Sequence, residues 1–198
     1  MMKLMHTPKD MARELAQKYE IKMSQETTSC LADLLVPEQY RHRTTIINLE
    51  EKCDKMYFIL KGLMIISTPT SAENRVDAIL REGETLVCSE CLFKDEASKY
   101  IVKTLEPTVV YTISYEYLRQ FAAESAEVHQ LLCAIYEQEI LKQEQRFNLL
   151  SLNSKDRYLA FMNTEGEKLR RTQLKYIASY LRMAPETLSR IRNILSRK

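Results

Sequence analysis

Two hydrophobic periods divide the chain. Between residues 44 and 114, short β-branched and aromatic runs alternate with turn residues: Thr44–Asn48, Met56–Leu60, Leu63–Thr68, Val76–Leu80, Tyr100–Leu105 and Val109–Ser114. Their spacing of roughly 8–12 residues, punctuated by Lys61-Gly62 and Glu82-Gly83-Glu84, predicts an antiparallel sandwich, barrel or roll. Pro37, Pro69 and Pro107 fall outside these runs, as the missing proline N–H favours. Residues 8–36 read as helical. From about Tyr115 the period lengthens. Val128, Leu132, Tyr136, Ile140, Phe147 and Leu150 recur at steps of four, four, four, seven and three. That is an amphipathic stripe on one helix, Ser125 to Leu150, about 38 Å long. Leu131 and Ile135 add a second apolar face. The roll can cover one face. A second copy of the helix is the natural cover for the other, through a two-fold seam in which Val128, Leu132, Tyr136, Ile140 and Phe147 are the expected contacts. A wholly intramolecular core helix is the competing arrangement.

Ser151-Leu152-Asn153-Ser154 breaks the stripe and reads as a hinge, with Ser154 as the expected N-cap of the next helix. Gly166 is expected to end that helix and Thr172 to cap its successor. The ending, LKYIASYLRMAPETLSRIRNILSRK from Leu174, fits a tighter template. Two helices joined by a short turn need apolar or small residues at fixed places, and Ile177, Ala178, Leu181, Met183, Leu188 and Ile191 occupy them. Ala178 is small where the second helix must cross closely. Pro185 suits the first position of that second helix. Glu186, Thr187, Ser189, Arg190, Arg192 and Asn193 then point outward, and all can bond base edges or phosphates. The pattern predicts a helix-turn-helix whose second helix, 185–196, enters the major groove. Arg182 dissents: it stands at the turn corner, where a left-handed φ makes glycine usual, at a cost of about 1 kcal/mol. A phosphate contact could recover part of that cost.

Charge sharpens the picture. The 198 residues carry a formal +2, but residues 153–198 hold eleven Lys/Arg against four Asp/Glu, a local +7 that leaves −5 on the remainder. A basic tail on an acidic body is the footprint of a polyanion binder, although a solvated basic helix surface gives the same numbers. The expected phosphate contacts are Lys175, Arg182, Arg192 and Arg197. The longest apolar runs fall far short of the roughly 18 residues of a membrane helix, and the N-terminus lacks a signal-peptide core, so a cytoplasmic address is expected. Five scattered cysteines then read as reduced thiols.

The chain resembles the catabolite-activator (CRP/FNR) family of bacterial regulators, in particular short Bacteroides-type members that share a YIASYL…APETLSRIR ending. EKCDKMYFILKGLMIIS resembles the family's strand–KG–strand stretch, REGETLVCSECLF stands where its ligand cassette begins, and ISYEYLRQF leads into the long helix. The resemblance implies an α+β architecture: an N-terminal antiparallel β-roll of the cyclic-nucleotide-binding type (1–124), a long dimerisation helix and hinge (125–152), and a C-terminal helix-turn-helix domain (153–198). It implies Glu186 and Arg190 as base readers, with Thr187 and Ser189 beside them near the backbone. Pro185 stands where a well-known member has a base-contacting arginine, so the operator does not carry over. Double-stranded DNA, a second copy, RNA polymerase and a small-molecule effector are the implied partners.

A cyclic nucleotide is not the expected effector. The family site needs a Gly-Glu pair and a phosphate-binding arginine. Here the stretch reads Cys88-Ser89-Glu90, with no glycine between Gly83 and Gly166 and no arginine between Arg81 and Arg119. Ser89, Glu90 and Lys99 are the nearest candidates for effector contacts, and lysine lacks the bidentate fork. Cys88-x2-Cys91 has no second Cys/His pair to complete a zinc site, and His6, His42 and His129 are isolated. No metal, cofactor or enzymatic motif stands out. The rival reading is a ligand- or redox-sensing roll, using Cys88 and Cys91, whose basic tail docks a protein partner.

Overall fold

A computed structural model describes residues 6–71 and 74–196. Two helices open the chain, α1 (Pro8–Lys18) and α2 (Gln25–Leu34). The helical stretch expected over 8–36 is therefore broken. Glu20 turns left-handed at φ 56°, and Ser24 caps α2 by accepting from the Thr27 N–H. Eight strands follow: β1 (Val36–Tyr40), β2 (Thr45–Ile47), β3 (Lys55–Lys61), β4 (Leu63–Thr68), β5 (Arg75–Arg81), β6 (Thr85–Leu86), β7 (Ile101–Thr104) and β8 (Thr108–Ser114). A short helix, α3 (Ser89–Lys94), interrupts them. Antiparallel pairing gives two four-stranded sheets, ordered β1-β8-β3-β6 and β2-β7-β4-β5. All six expected runs are strands. β1 and β6 are additional, and β1 contains Pro37, which was expected to lie outside any strand. A sheet-edge position makes the missing N–H harmless there.

The strands read as nearly continuous apolar runs because both faces of each sheet are covered. Along β3, Tyr57 and Ile59 point into the roll with Met64, Leu80, Leu86 and Val110. Met56 and Phe58 point outward, against Leu15, Leu31, Leu118 and Leu131 of flanking helices. Along β4, Met64 turns inward while Leu63 and Ile65 turn outward onto the C-terminal helices. The β3–β4 turn demands its glycine. Gly62 sits at φ 114°, and a Cβ there would lie 2.7 Å from Thr108 Cα.

Helices complete the chain: α4 (Tyr115–Glu124), α5 (Ala126–Ser151), α6 (Ser154–Arg171), α7 (Leu174–Tyr180) and α8 (Pro185–Ser196). Among the described residues, no helix is long and apolar enough to cross a membrane. Ser125 caps α5. The cap of α6 is Asn153 rather than Ser154: its carboxamide oxygen accepts from the N–H groups of Lys155 and Asp156. Gly166 does not end α6. The helix kinks at Glu165 (φ −129°) and runs on to Arg171. Thr172 follows it as C-cap, and Gln173 caps α7.

Arg157 fastens the hinge. Its guanidinium donates to the carbonyls of Leu150 (2.9 Å), Leu152 (2.6 Å) and Leu181 (2.7 Å). One side chain thus ties the end of α5 to the turn between α7 and α8. Arg157→Met strips the donor from three carbonyls, and a charged donor is worth about 1.5–3 kcal/mol per bond. A loss of about 3 kcal/mol in urea unfolding is the expected result.

Candidate nucleic-acid interface

The last two helices form the expected helix-turn-helix. Ile177, Ala178, Leu181, Leu188 and Ile191 are buried together with Tyr158 and Phe161 of α6, while Met183 packs at the edge. Arg182 adopts the left-handed conformation anticipated for the turn, φ 52°. With the apolar face of α8 buried, Glu186, Ser189, Arg190, Arg192 and Asn193 stand exposed and Thr187 is half-buried. Lys175 is exposed on α7, its ammonium 4.9 Å from the Tyr176 ring centroid. Arg197 lies outside the described residues.

The same helices dock on the outer face of β4 and β5, where Leu63, Ile65, Val76 and Ile79 meet them. Polar ties ring this apolar contact. Arg182 Nη2 lies 2.7 Å from Asp77, and the Val76 N–H donates to Ser179 Oγ at 2.9 Å. Lys168, buried, pairs with Glu84 at 2.9 Å. Arg171 makes two bonds of 2.7 Å to Glu82 and also pairs with Glu106 and Glu167. Four members of the basic tail, Arg157, Lys168, Arg171 and Arg182, are therefore engaged inside the molecule. Arg182, expected to contact phosphate, here has its Nη2 on Asp77, a carboxylate it shares with Arg75. Sequence reading missed the ties to Glu84, Glu82 and Asp77, which lie 84, 89 and 105 residues away in the roll.

Hydrogen bonds from Arg171 hold the Glu82 carboxyl at about 2, below its ordinary 4.5. A depressed folded value means that the contribution is complete above about pH 4.5 and disappears as the pH falls toward 2. Thermal unfolding followed between pH 5 and 2 should therefore show a falling midpoint whose slope Glu82→Gln reduces.

The apolar stripe of α5 is divided. Val128 and Leu132 are buried against the roll, and Tyr136 is half-buried with its ring edge-on to Phe93 at 5.2 Å. Ile140 (68% exposed) and Phe147 (74% exposed) stand free. The reason is geometric: each four-residue step rotates by about 40° around the helix, so three steps carry Ile140 about 120° from Val128. The free ridge is Cys133, Ile140 and Phe147, seven residues apart, with Leu141 alongside. Val128 and Leu132, expected at the seam, belong here to the intramolecular core.

A cleft of about 1010 Å³ lies between the roll, α5, and the helices α6 and α7. Ser89 and Glu90 line it. Lys99 does not: it stands exposed, paired with Glu96 at 3.1 Å. The cassette itself offers a carboxylate at Glu90 and a hydroxyl at Ser89 but no guanidinium. Cys88 Sγ and Cys91 Sγ are 2.9 Å apart, and the Cys53 N–H donates to Cys91 Sγ at 3.3 Å. Burial pushes the Cys53 and Cys91 thiols up to about 11 and 12, which suppresses the reactive thiolate.

Residues 37–125 match the family model of the cyclic nucleotide-binding domain. No curated protein sequence matches the chain significantly. FixK2 from Bradyrhizobium japonicum superimposes with a TM-score of 0.71 at 18% identity, covering 82% of this chain and 85% of that one. The c-di-GMP-responsive global regulator CLP from Xanthomonas campestris gives 0.65 at 21%, covering 83% and 88%. The catabolite activator protein of Thermus thermophilus gives 0.56 at 16%, covering 93% and 87%. At these identities the likeness is one of fold. The chain thus shares the fold of these three proteins, with an N-terminal roll that matches the cyclic nucleotide-binding domain. The resemblance to CRP/FNR proteins carried by the YIASYL…APETLSRIR ending extends through that architecture.

Proposed function

We propose that two copies of this chain bind double-stranded DNA sequence-specifically and regulate transcription, each placing α8 in a major groove. The observation that carries this reading is the division of α8: Leu188 and Ile191 are buried, while Glu186, Ser189, Arg190 and Arg192 are exposed. Arg190 would fork onto guanine and Glu186 accept from cytosine. Lys175 and Arg192 would contact phosphates. The exposed ridge of α5 would meet its copy, with heptad spacing suited to a left-handed seam. On this reading residues 1–124 sense, 125–152 dimerise and 153–198 read DNA. The protein works in the cytoplasm beside RNA polymerase, and it performs no catalysis. The residues around Ser89 and Glu90 speak for an effector other than a cyclic nucleotide.

Genome-wide footprinting with the purified protein tests the proposal. A palindromic motif is expected. A protein-docking tail predicts no discrete sites. Within the complex, Lys175→Ala should weaken binding to all duplexes alike and flatten the slope of log affinity against log salt by about one unit, since one phosphate contact releases about one counterion. Anisotropy titrations across a salt series measure it.

A further inference from the structure

One end of the cleft gathers more positive charge than its surroundings match. Arg75 and Arg182 both pair with Asp77, at 3.1 and 2.7 Å. Arg146, from α5, lies close enough for Asp77 and Arg182 both to act on it electrostatically. Its guanidinium stacks over the Tyr180 ring at 3.7 Å and donates to the Tyr180 carbonyl, and among the described residues it has no carboxylate partner. Three guanidiniums thus share one carboxylate. Arg146 Nη1 and Arg182 Nη1 are both buried without a hydrogen-bond partner, an arrangement that is costly unless an acceptor arrives. Arg75, Asp77, Arg146 and Tyr180 all line the cleft. Of the other carboxylates on its wall, Glu84 and Glu165 share Lys168, Glu139 pairs with Lys142, and Glu90 stands with the cassette. Away from the arginines the wall carries an apolar stretch, Ile66, Leu86, Val87, Tyr100 and Tyr136, beside polar side chains that include Thr85, Gln143 and Asn148.

We propose that the cleft binds an amphipathic anion: its carboxylate or phosphate head against Arg146 and Arg75, its apolar body along the wall toward Tyr100 and Tyr136. A volume of about 1010 Å³ suits a drug-sized ligand, and a planar guanidinium is the group that recognises such heads bidentately. The head would touch β5 through Arg75 and the long helix through Arg146, whose guanidinium also donates to the Tyr180 carbonyl of the helix-turn-helix. Calling this ligand an effector rests on the regulator reading above. Binding itself does not.

Calorimetry on the full-length protein without DNA tests it, using decanoate, decyl phosphate and decanol as probes. At least one of the two anions should bind, decanol should not, and Arg146→Gln should weaken the anion by about tenfold or more, the worth of a lost charge-assisted bond. Arg75→Gln should weaken it in the same direction, which keeps the test usable should Arg146→Gln fail to fold. Failure of both anions to bind, equal binding of decanol, or indifference to both arginine substitutions would overturn the proposal. A parallel anisotropy titration on the footprinted duplex, with and without the bound anion, separates the two claims. Absence of DNA binding both with and without the anion would refute the regulator reading and leave the ligand site standing.

Discussion

Replacing Ile140 and Phe147 together by aspartate is expected to leave the fold intact, to make the protein monomeric, and to lower affinity for a two-half-site duplex by about 10²–10⁴. The fold survives because both side chains stand in solvent, 68% and 74% exposed, and contribute little to the intramolecular core. The dimer fails because like charges would face each other along the seam, where the heptad ridge of Cys133, Ile140 and Phe147 would otherwise bury apolar surface. The loss at DNA follows from effective concentration: linking two readers converts the second docking into an intramolecular event, worth about that factor. Sedimentation equilibrium and anisotropy measure the two effects. A double variant that stays dimeric would place the seam elsewhere. One that becomes monomeric yet binds DNA with undiminished affinity would remove the need for two copies.

Arg190→Ala carries the next largest effect. The side chain is exposed on α8, with no ion pair among the described residues holding it elsewhere. Its removal should cost about 1–3 kcal/mol on the preferred sequence, roughly a ten- to hundredfold loss, and should relax selection at one base pair in each half-site. Equal losses on the preferred and on random duplexes would reassign Arg190 to the phosphates.

Much of this architecture is legible in the sequence, for reasons that differ by region. The helix-turn-helix shows because a close helix crossing tolerates few side chains, so Ala178, Leu181, Pro185 and Leu188 fall where the geometry demands. The roll shows because strands covered on both faces become apolar runs. Local rules missed what depends on neighbours distant in the chain. Pro37 reads as a breaker until its strand is known to lie at a sheet edge. The α5 stripe reads as one face, although steps of four rotate it from the roll to solvent. The +7 of the tail counts Lys168, Arg171 and Arg182 as free, although Glu84, Glu82 and Asp77 of the roll take them up. Arg157 reads as a surface charge, although three backbone carbonyls claim it. The cleft arginines, Arg75 and Arg146, come from β5 and α5, and no sequence window contains both.

The claim on which the rest depends is that α8 lies along base edges in two successive major grooves. Dimethyl sulfate protection on a footprinted site reports directly on guanine N7, which faces that groove. The expected result is two symmetric patches of protected guanines, about 10 base pairs apart from centre to centre, with protection lost at one guanine per half-site in Arg190→Ala. Full reactivity of every major-groove N7 on a duplex that the protein demonstrably occupies would contradict it.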